Sequence, residues 1–112
     1  MKTVLLLLVA VTITALAQTK PGDPANGKRL FERNGCYQCH GYVGQGGVAG
    51  ARLAQTRLTQ IAFMAYVRNP ASGGMPPYRA KVMSDQELAD VYAHIKTFPE
   101  PKPAKDIPLL NQ

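Results

Sequence analysis

Apolar positions fall into four blocks along the chain. The first, Val4 to Ala15, is a run of Leu, Val, Ala and Ile relieved only by Thr12 and Thr14, and it leads into Ala15-Leu16-Ala17. Lys2 precedes it and no other charge appears before Lys20. A basic start, a short apolar centre and a small-x-small site predict a cleaved secretory signal over 1–17, with Gln18 opening the mature chain. The alternative is a retained anchor, for which the 17 uncharged residues from Thr3 to Thr19 stand at the lower limit for spanning a bilayer. No cysteine lies near the cleavage point, which argues against a bacterial lipid anchor.

The other three blocks carry helical periodicity. After a short leader (18–22), Asp23 can cap and Pro24 suits the first helical position, so a helix is predicted from there to Asn34, with Gly35 as its stop. Gly27, Leu30 and Phe31 share a face at i, i+3, i+4. A glycine on that face costs about 1 kcal/mol against alanine and implies that another backbone packs close to it. Thr59 can cap a second helix through Arg68, with Ile61, Met64 and Ala65 as its expected inner side and Pro70 as its end. Ser84 and Glu87 form a capping box, Met83 and Leu88 a hydrophobic staple, and Leu88, Val91, Tyr92 and Ile95 an amphipathic stripe up to Pro99. Between the helices lie a glycine-rich loop, Gly41 to Gly50, and a Gly-Pro loop, Ser72 to Pro77, around Met75. Residues 99–112 hold four prolines and are expected to form an extended tail. No strand pattern or repeat appears. The expectation is an all-α domain over 23–98.

Removal of the signal leaves about 95 residues, enough for a modest core that often needs a staple at this size. The chain contains no tryptophan, and a large buried cofactor would supply apolar contact area. The formal charge of +6 falls to +5 without Lys2. Its basic residues are scattered (Lys28, Arg29, Arg33, Arg52, Arg57, Arg68, Arg79, Lys81), with no dense run to suggest nucleic acid. They form either an ordinary solvated surface or a face that steers an acidic partner.

The two cysteines lie in Cys36-Tyr37-Gln38-Cys39-His40. C-x-x-C-H is the attachment signature of c-type haem. Two intervening residues let both thiols reach neighbouring vinyl groups on one porphyrin edge, and the next residue, His40, can bond the iron axially. A thioredoxin-like pair would need a βαβ context, zinc would need two more ligands, and a disulfide would close only a very short loop. For the second axial position the chain offers Met64, Met75, Met83 and His94. Met64 reads as core filler, Met83 is taken by the staple, and His94 reads as a partly buried helix histidine. Met75 sits in Gly73-Gly74-Met75-Pro76-Pro77-Tyr78, where glycines allow close approach and prolines hold the loop in one shape. It follows His40 by 35 positions, enough chain to cross from one haem face to the other. The alternative for Met75 is an exposed loop residue. Tyr78 and Arg79 could hydrogen-bond the loop or a propionate.

These motifs resemble the class I cytochrome c family over residues 23–98. Gly27 and Phe31 are similar to its glycine–aromatic pair, Met75-Pro76-Pro77-Tyr78 to its methionine loop, and Gly50-Ala51-Arg52-Leu53 to the turn whose proline carbonyl accepts from the axial histidine. Ala51 stands in place of that proline, and His94 where the family often has tyrosine. The resemblance implies three main helices and loops wrapped around one covalently bound haem c, attached to Cys36 and Cys39. It implies axial His40 and Met75, with Leu53, Tyr78 and Arg52 as possible pocket contacts. The function implied is one-electron transfer between periplasmic redox partners, a dehydrogenase as donor and an oxidase or another cytochrome as acceptor. Two rivals are a cytochrome subunit bound to a dehydrogenase complex, suggested by the apolar end of the tail, and a five-coordinate haem enzyme or gas sensor. Membrane contact is expected only if the N-terminal segment is retained.

Overall fold

The computed structural model describes residues 20–71 and 73–112. The signal expected over 1–17, the first leader residues and Ser72 lie outside the described residues. Four α-helices follow in order: α1 Pro24–Arg33, α2 Cys36–His40, α3 Gln60–Arg68 and α4 Asp85–Ile95. Among the described residues there is no strand, and no helix is long and apolar enough to cross a membrane.

The helix ends follow their capping residues. Asp23 accepts from the Ala25 amide at 2.9 Å, with Pro24 in the first turn of α1. Thr59 accepts from the Ala62 amide at 3.2 Å to start α3. At α4 both arms of the capping box are made: the Glu87 amide donates to Ser84 Oγ at 3.2 Å, and the Ser84 amide to Glu87 Oε2 at 2.8 Å. Asp85 and Glu87 also place negative charge on the positive end of the α4 dipole.

The crossing of α1 and α4 is the frame of the molecule. It is close because Gly27 has no side chain: a Cβ there would lie 1.9 Å from the Asp90 carbonyl oxygen and 2.9 Å from His94 Cβ. Around the crossing, Leu30, Phe31, Leu88, Val91, Ile95 and Phe98 are buried, and Phe31 meets Phe98 edge to face at 5.5 Å. Asp90 is buried within it. Its carboxylate accepts from the Asp23 amide at 2.8 Å, Asn26 Nδ2 at 2.6 Å and Gln86 Nε2 at 3.1 Å. Burial alone would raise this carboxyl, but the bonds from Asn26, Asp23 and Gln86 outweigh it and hold the group below the usual carboxylate range.

Two expectations need correction. The inner face of α3 is Phe63 and Val67, whereas Ile61 is 81% exposed. Every position from Ile61 to Val67 is apolar or aromatic, so periodicity does not select a side there. The side that packs is the one turned to Tyr92 of α4, whose ring lies 5.5 Å from Phe63. The tail is not simply extended. It forms two 3-10 turns, Ala104–Asp106 and Pro108–Leu110, gathered by Asn111 Nδ2, which donates to the carbonyls of Ala104, Lys105 and Ile107.

Two outcomes are expected. Gly27→Ala should lower stability by about 1–3 kcal/mol or more through overpacking, despite alanine's better helix propensity; an unchanged denaturant midpoint would contradict the close crossing. Because the Asp90 pKa is depressed by folding, its contribution is complete above the ordinary carboxylate value and is lost as pH falls through the folded value. Asp90→Asn should therefore be less stable at neutral pH and show a shallower acid limb in thermal melts across pH. A slope equal to wild type would mean the carboxylate carries none of it.

Candidate functional site

The pentapeptide Cys36–His40 forms a single helical turn directly after α1. This local geometry turns Cys36, Cys39 and His40 toward one cavity of about 500 Å³. Its walls come from all parts of the fold: Leu53 and Arg52 from the glycine-rich loop, Phe63 and Val67 from α3, Met75 and Tyr78 from the Gly-Pro loop, and Leu88, Val91 and Ile95 from α4. Seven of the residues singled out in the sequence, Cys36, Cys39, His40, Arg52, Leu53, Met75 and Tyr78, thus meet at one cavity, although they span 43 positions of chain.

His40 is oriented from behind. Its Nδ1 lies 2.7 Å from the Ala51 carbonyl oxygen. A carbonyl only accepts, so Nδ1 carries the proton and Nε2 keeps its lone pair for a metal. The loop that delivers Ala51 is fastened by backbone bonds: Gly46 N–H to His40 O at 2.9 Å, Gly47 N–H to Gly50 O at 2.9 Å, and Leu53 and Ala54 N–H to Gly44 O at 2.8 and 2.9 Å. Alanine in place of proline leaves this carbonyl contact intact. Gly50 is required by proximity, since a Cβ there would lie 2.6 Å from the Cys39 carbonyl oxygen and 3.0 Å from His40 Nδ1.

The two cysteines are not bridged to each other; Cys36 is half-buried and Cys39 exposed. Burial pushes the Cys36 thiol up to about 11, with its backbone hydrogen bond opposing and Cys39 adding to the rise. Redox-active C-x-x-C pairs need the opposite, a lowered thiol pKa. Nor do three His, Cys, Asp or Glu side chains converge as a metal set among the described residues, so zinc lacks its ligands.

The rival donors separate. His94 does not line the cavity. It stands in the α1–α4 seam, edge-on to Phe31 at 5.5 Å and to Phe98 at 4.8 Å. Burial lowers its pKa and nearby Lys28 lowers it further, with Glu32 partly opposing. Met64 packs against the core away from the cavity, whereas the buried Met83 does reach the cavity wall. Arg79 faces a neighbouring groove beside Asn69 and Pro70. The Tyr78 hydroxyl instead bonds within the protein, donating to the Asn34 carbonyl at 3.2 Å. The sequence reading passed over Arg68, whose guanidinium bridges the carbonyls of Tyr78 and Met83. Its only sequence signal was a basic residue at a helix end.

The donor set and cavity fit a haem. Two thiols and one imidazole with a free Nε2 border a largely apolar space, and a thioether reaches the same space from another loop. Residues 22–95 match the family model described as cytochrome c oxidase, cbb3-type, subunit III. The chain belongs to the cytochrome c family. Cytochrome c-555 of Methylococcus capsulatus is 31% identical over 98 residues, which cover 84% of this chain and 79% of that protein. No solved structure matches. As a member of the cytochrome c family the protein carries covalently bound haem c and transfers electrons rather than catalysing a reaction of its own.

The anchoring of His40 in this cytochrome can be tested through two glycines. Gly50→Ala should cost about 1–3 kcal/mol of holoprotein stability, because neither the Cys39 carbonyl nor the His40 ring can give way freely. Gly47→Ala, where nothing lies within 4 Å of the new Cβ, should stay within about 0.5 kcal/mol of wild type. Equal effects in the two denaturation curves would contradict the tight packing behind His40.

Proposed function

We propose that this cytochrome is a one-electron carrier between periplasmic redox partners, with haem c joined to Cys36 and Cys39 and its iron held axially by His40 and Met75. On this reading residues 1–17 are a cleaved export signal and residues 23–98 form the electron-carrying domain. The observation that carries the proposal is the meeting of His40, fixed by Ala51, and Met75, held in a proline-bounded loop, at the cavity that both cysteines border.

Bound haem supplies an iron centre that gains and loses a single electron. The protein's part is to keep that exchange free of other chemistry. The Ala51 carbonyl orients the His40 imidazole. The Met75 thioether would hold the iron together with His40, which would raise the reduction potential and keep oxygen or substrate from the metal. Leu53, Phe63, Val67, Leu88, Val91 and Ile95 keep water from the cavity wall. Cys39, Ala51 and Arg52 are exposed at its border, which leaves a short path for an electron to a docked partner.

A second reading, a subunit held in a dehydrogenase complex, has the tail in its support. Its 3-10 turns are locally organised, yet Leu109 and Leu110 are 79% and 65% exposed. An apolar pair on an ordered turn suits a lasting contact better than a transient one.

The ligand assignment has a spectroscopic test. The ferric holoprotein should show the weak far-red absorption band of an iron–thioether bond. That band should vanish in Met75→Ala and persist in Met64→Ala and Met83→Ala. Persistence in Met75→Ala, or a high-spin ferric spectrum in the wild type, would remove the proposed ligation and favour an open, reactive iron.

A further inference from the structure

Among its described residues, the loop that presents Met75 has few fastenings of its own. Around Gly73 and Gly74 lies open space, and Pro76 and Pro77 have no N–H to donate. Tyr78 is therefore the first residue after Met75 that can be tied down through a backbone N–H. Three hydrogen bonds to two elements hold it. Its N–H donates to the Val67 carbonyl of α3 at 3.0 Å, its hydroxyl to the Asn34 carbonyl at the end of α1 at 3.2 Å, and its own carbonyl accepts from Arg68 Nη1 at 2.7 Å. Burial raises the Tyr78 pKa, which keeps the phenol protonated as the donor.

Arg68 does more than complete this set. The same Nη1 donates to the Met83 carbonyl at 2.6 Å, and Nη2 pairs with Asp85 at 2.6 Å. Met83 and Asp85 flank the N-cap of α4, so one guanidinium joins the end of α3, the base of the Met75 loop and the start of α4. Its side chain is only 17% exposed. Charge-assisted bonds to two carbonyls at such a site are among the stronger non-covalent ties a protein makes.

We propose that Arg68 is a positioning residue: by clamping Tyr78 to Met83 it keeps Met75 turned into the cavity and sets how readily an external ligand displaces it from the haem iron. This rests on the assignment of Met75 as axial ligand. The clamp acts on the loop and not on the porphyrin, so its removal should release the thioether while leaving the His40 side undisturbed.

The experiment is a titration of the ferric holoprotein with imidazole, followed through the visible spectrum, alongside a denaturant melt. Arg68→Met should bind imidazole about tenfold to a hundredfold more tightly than wild type, reflecting lost charge-assisted bonds. Arg68→Lys keeps the charge but not the fork, should fall between the two, and stands in if Arg68→Met does not accumulate. Arg79→Met removes a charge from the same loop without touching the clamp and should bind as wild type does. A purely structural role would lower the melting midpoint and leave imidazole affinity unchanged. Wild-type affinity in the Arg68 variants, together with much tighter binding in Met75→Ala, would overturn the clamp and spare the ligand assignment. Binding in Met75→Ala no tighter than wild type would sink the ligand assignment and the clamp with it.

Discussion

The walls of the central cavity are the core itself. Phe63, Val67, Met83, Leu88, Val91 and Ile95 are buried side chains of the hydrophobic cluster, and the same six border a space of about 500 Å³. The space opens to solvent where Cys39, Ala51 and Arg52 are exposed, so without an occupant these six side chains would present apolar surface to water. The fold is therefore completed by an occupant, and the covalent haem c of the family is part of the core as much as it is a redox centre. This explains the absence of tryptophan and the modest supply of large side chains: the largest apolar group of the domain comes from outside the chain.

Given that constraint, the remaining architecture has one task, to hold several distant segments at the rim of a single cavity. The α1–α4 crossing does most of it. Its close approach at Gly27 lets Leu30 and Phe31 reach Leu88, Val91, Ile95 and Phe98, and the buried Asp90 locks the register by binding the start of α1 at Asp23 and Asn26. A carboxylate in that position would be a liability without partners. With three donors it becomes a specific tie that an apolar residue could not supply. The end of α1 then dictates where the Cys36–His40 turn begins, and the outer edge of α4 gives α3 its seat through Phe63 and Tyr92.

What was legible in the sequence follows from how local each cause is. Caps, the staple and the C-x-x-C-H turn depend on residues within five positions of one another, and all were readable. The Met75 loop was readable because glycine and proline restrict the backbone by themselves. The buried side of α3 was not, because an apolar run contains no periodic contrast and only the partner helix chooses between Phe63 and Ile61. Arg68 and Asp90 were hidden for a related reason. Each looks like an ordinary charged residue on a helix, and its role depends on acceptors or donors brought close only by the tertiary fold: Tyr78, Met83 and Asp85 for one, Asp23 and Asn26 for the other. The turns of the tail depend on Asn111 reaching back to three carbonyls, a pattern with no simple sequence signature.

The two sides of the site differ in how they are held, and the difference follows from chain length. Cys36, Cys39 and His40 occupy one helical turn, so bringing them together costs almost no loop entropy, and their support from Ala51 comes from only 11 positions away. The Met75 loop must close over 35 positions and meets the cavity only when α3 and α4 are in place. Its proline-bounded backbone reduces the freedom to be lost, and the ties at Tyr78 hold what remains. One side is thus set by local covalent structure and the other by a few hydrogen bonds between elements distant in sequence. Where two sides of a site are held so unequally, the weaker one determines how readily the site opens. On the proposed ligation that side is the loop of Met75, whose base is tied through Tyr78 and Arg68 where α3 meets α4, outside the cavity itself.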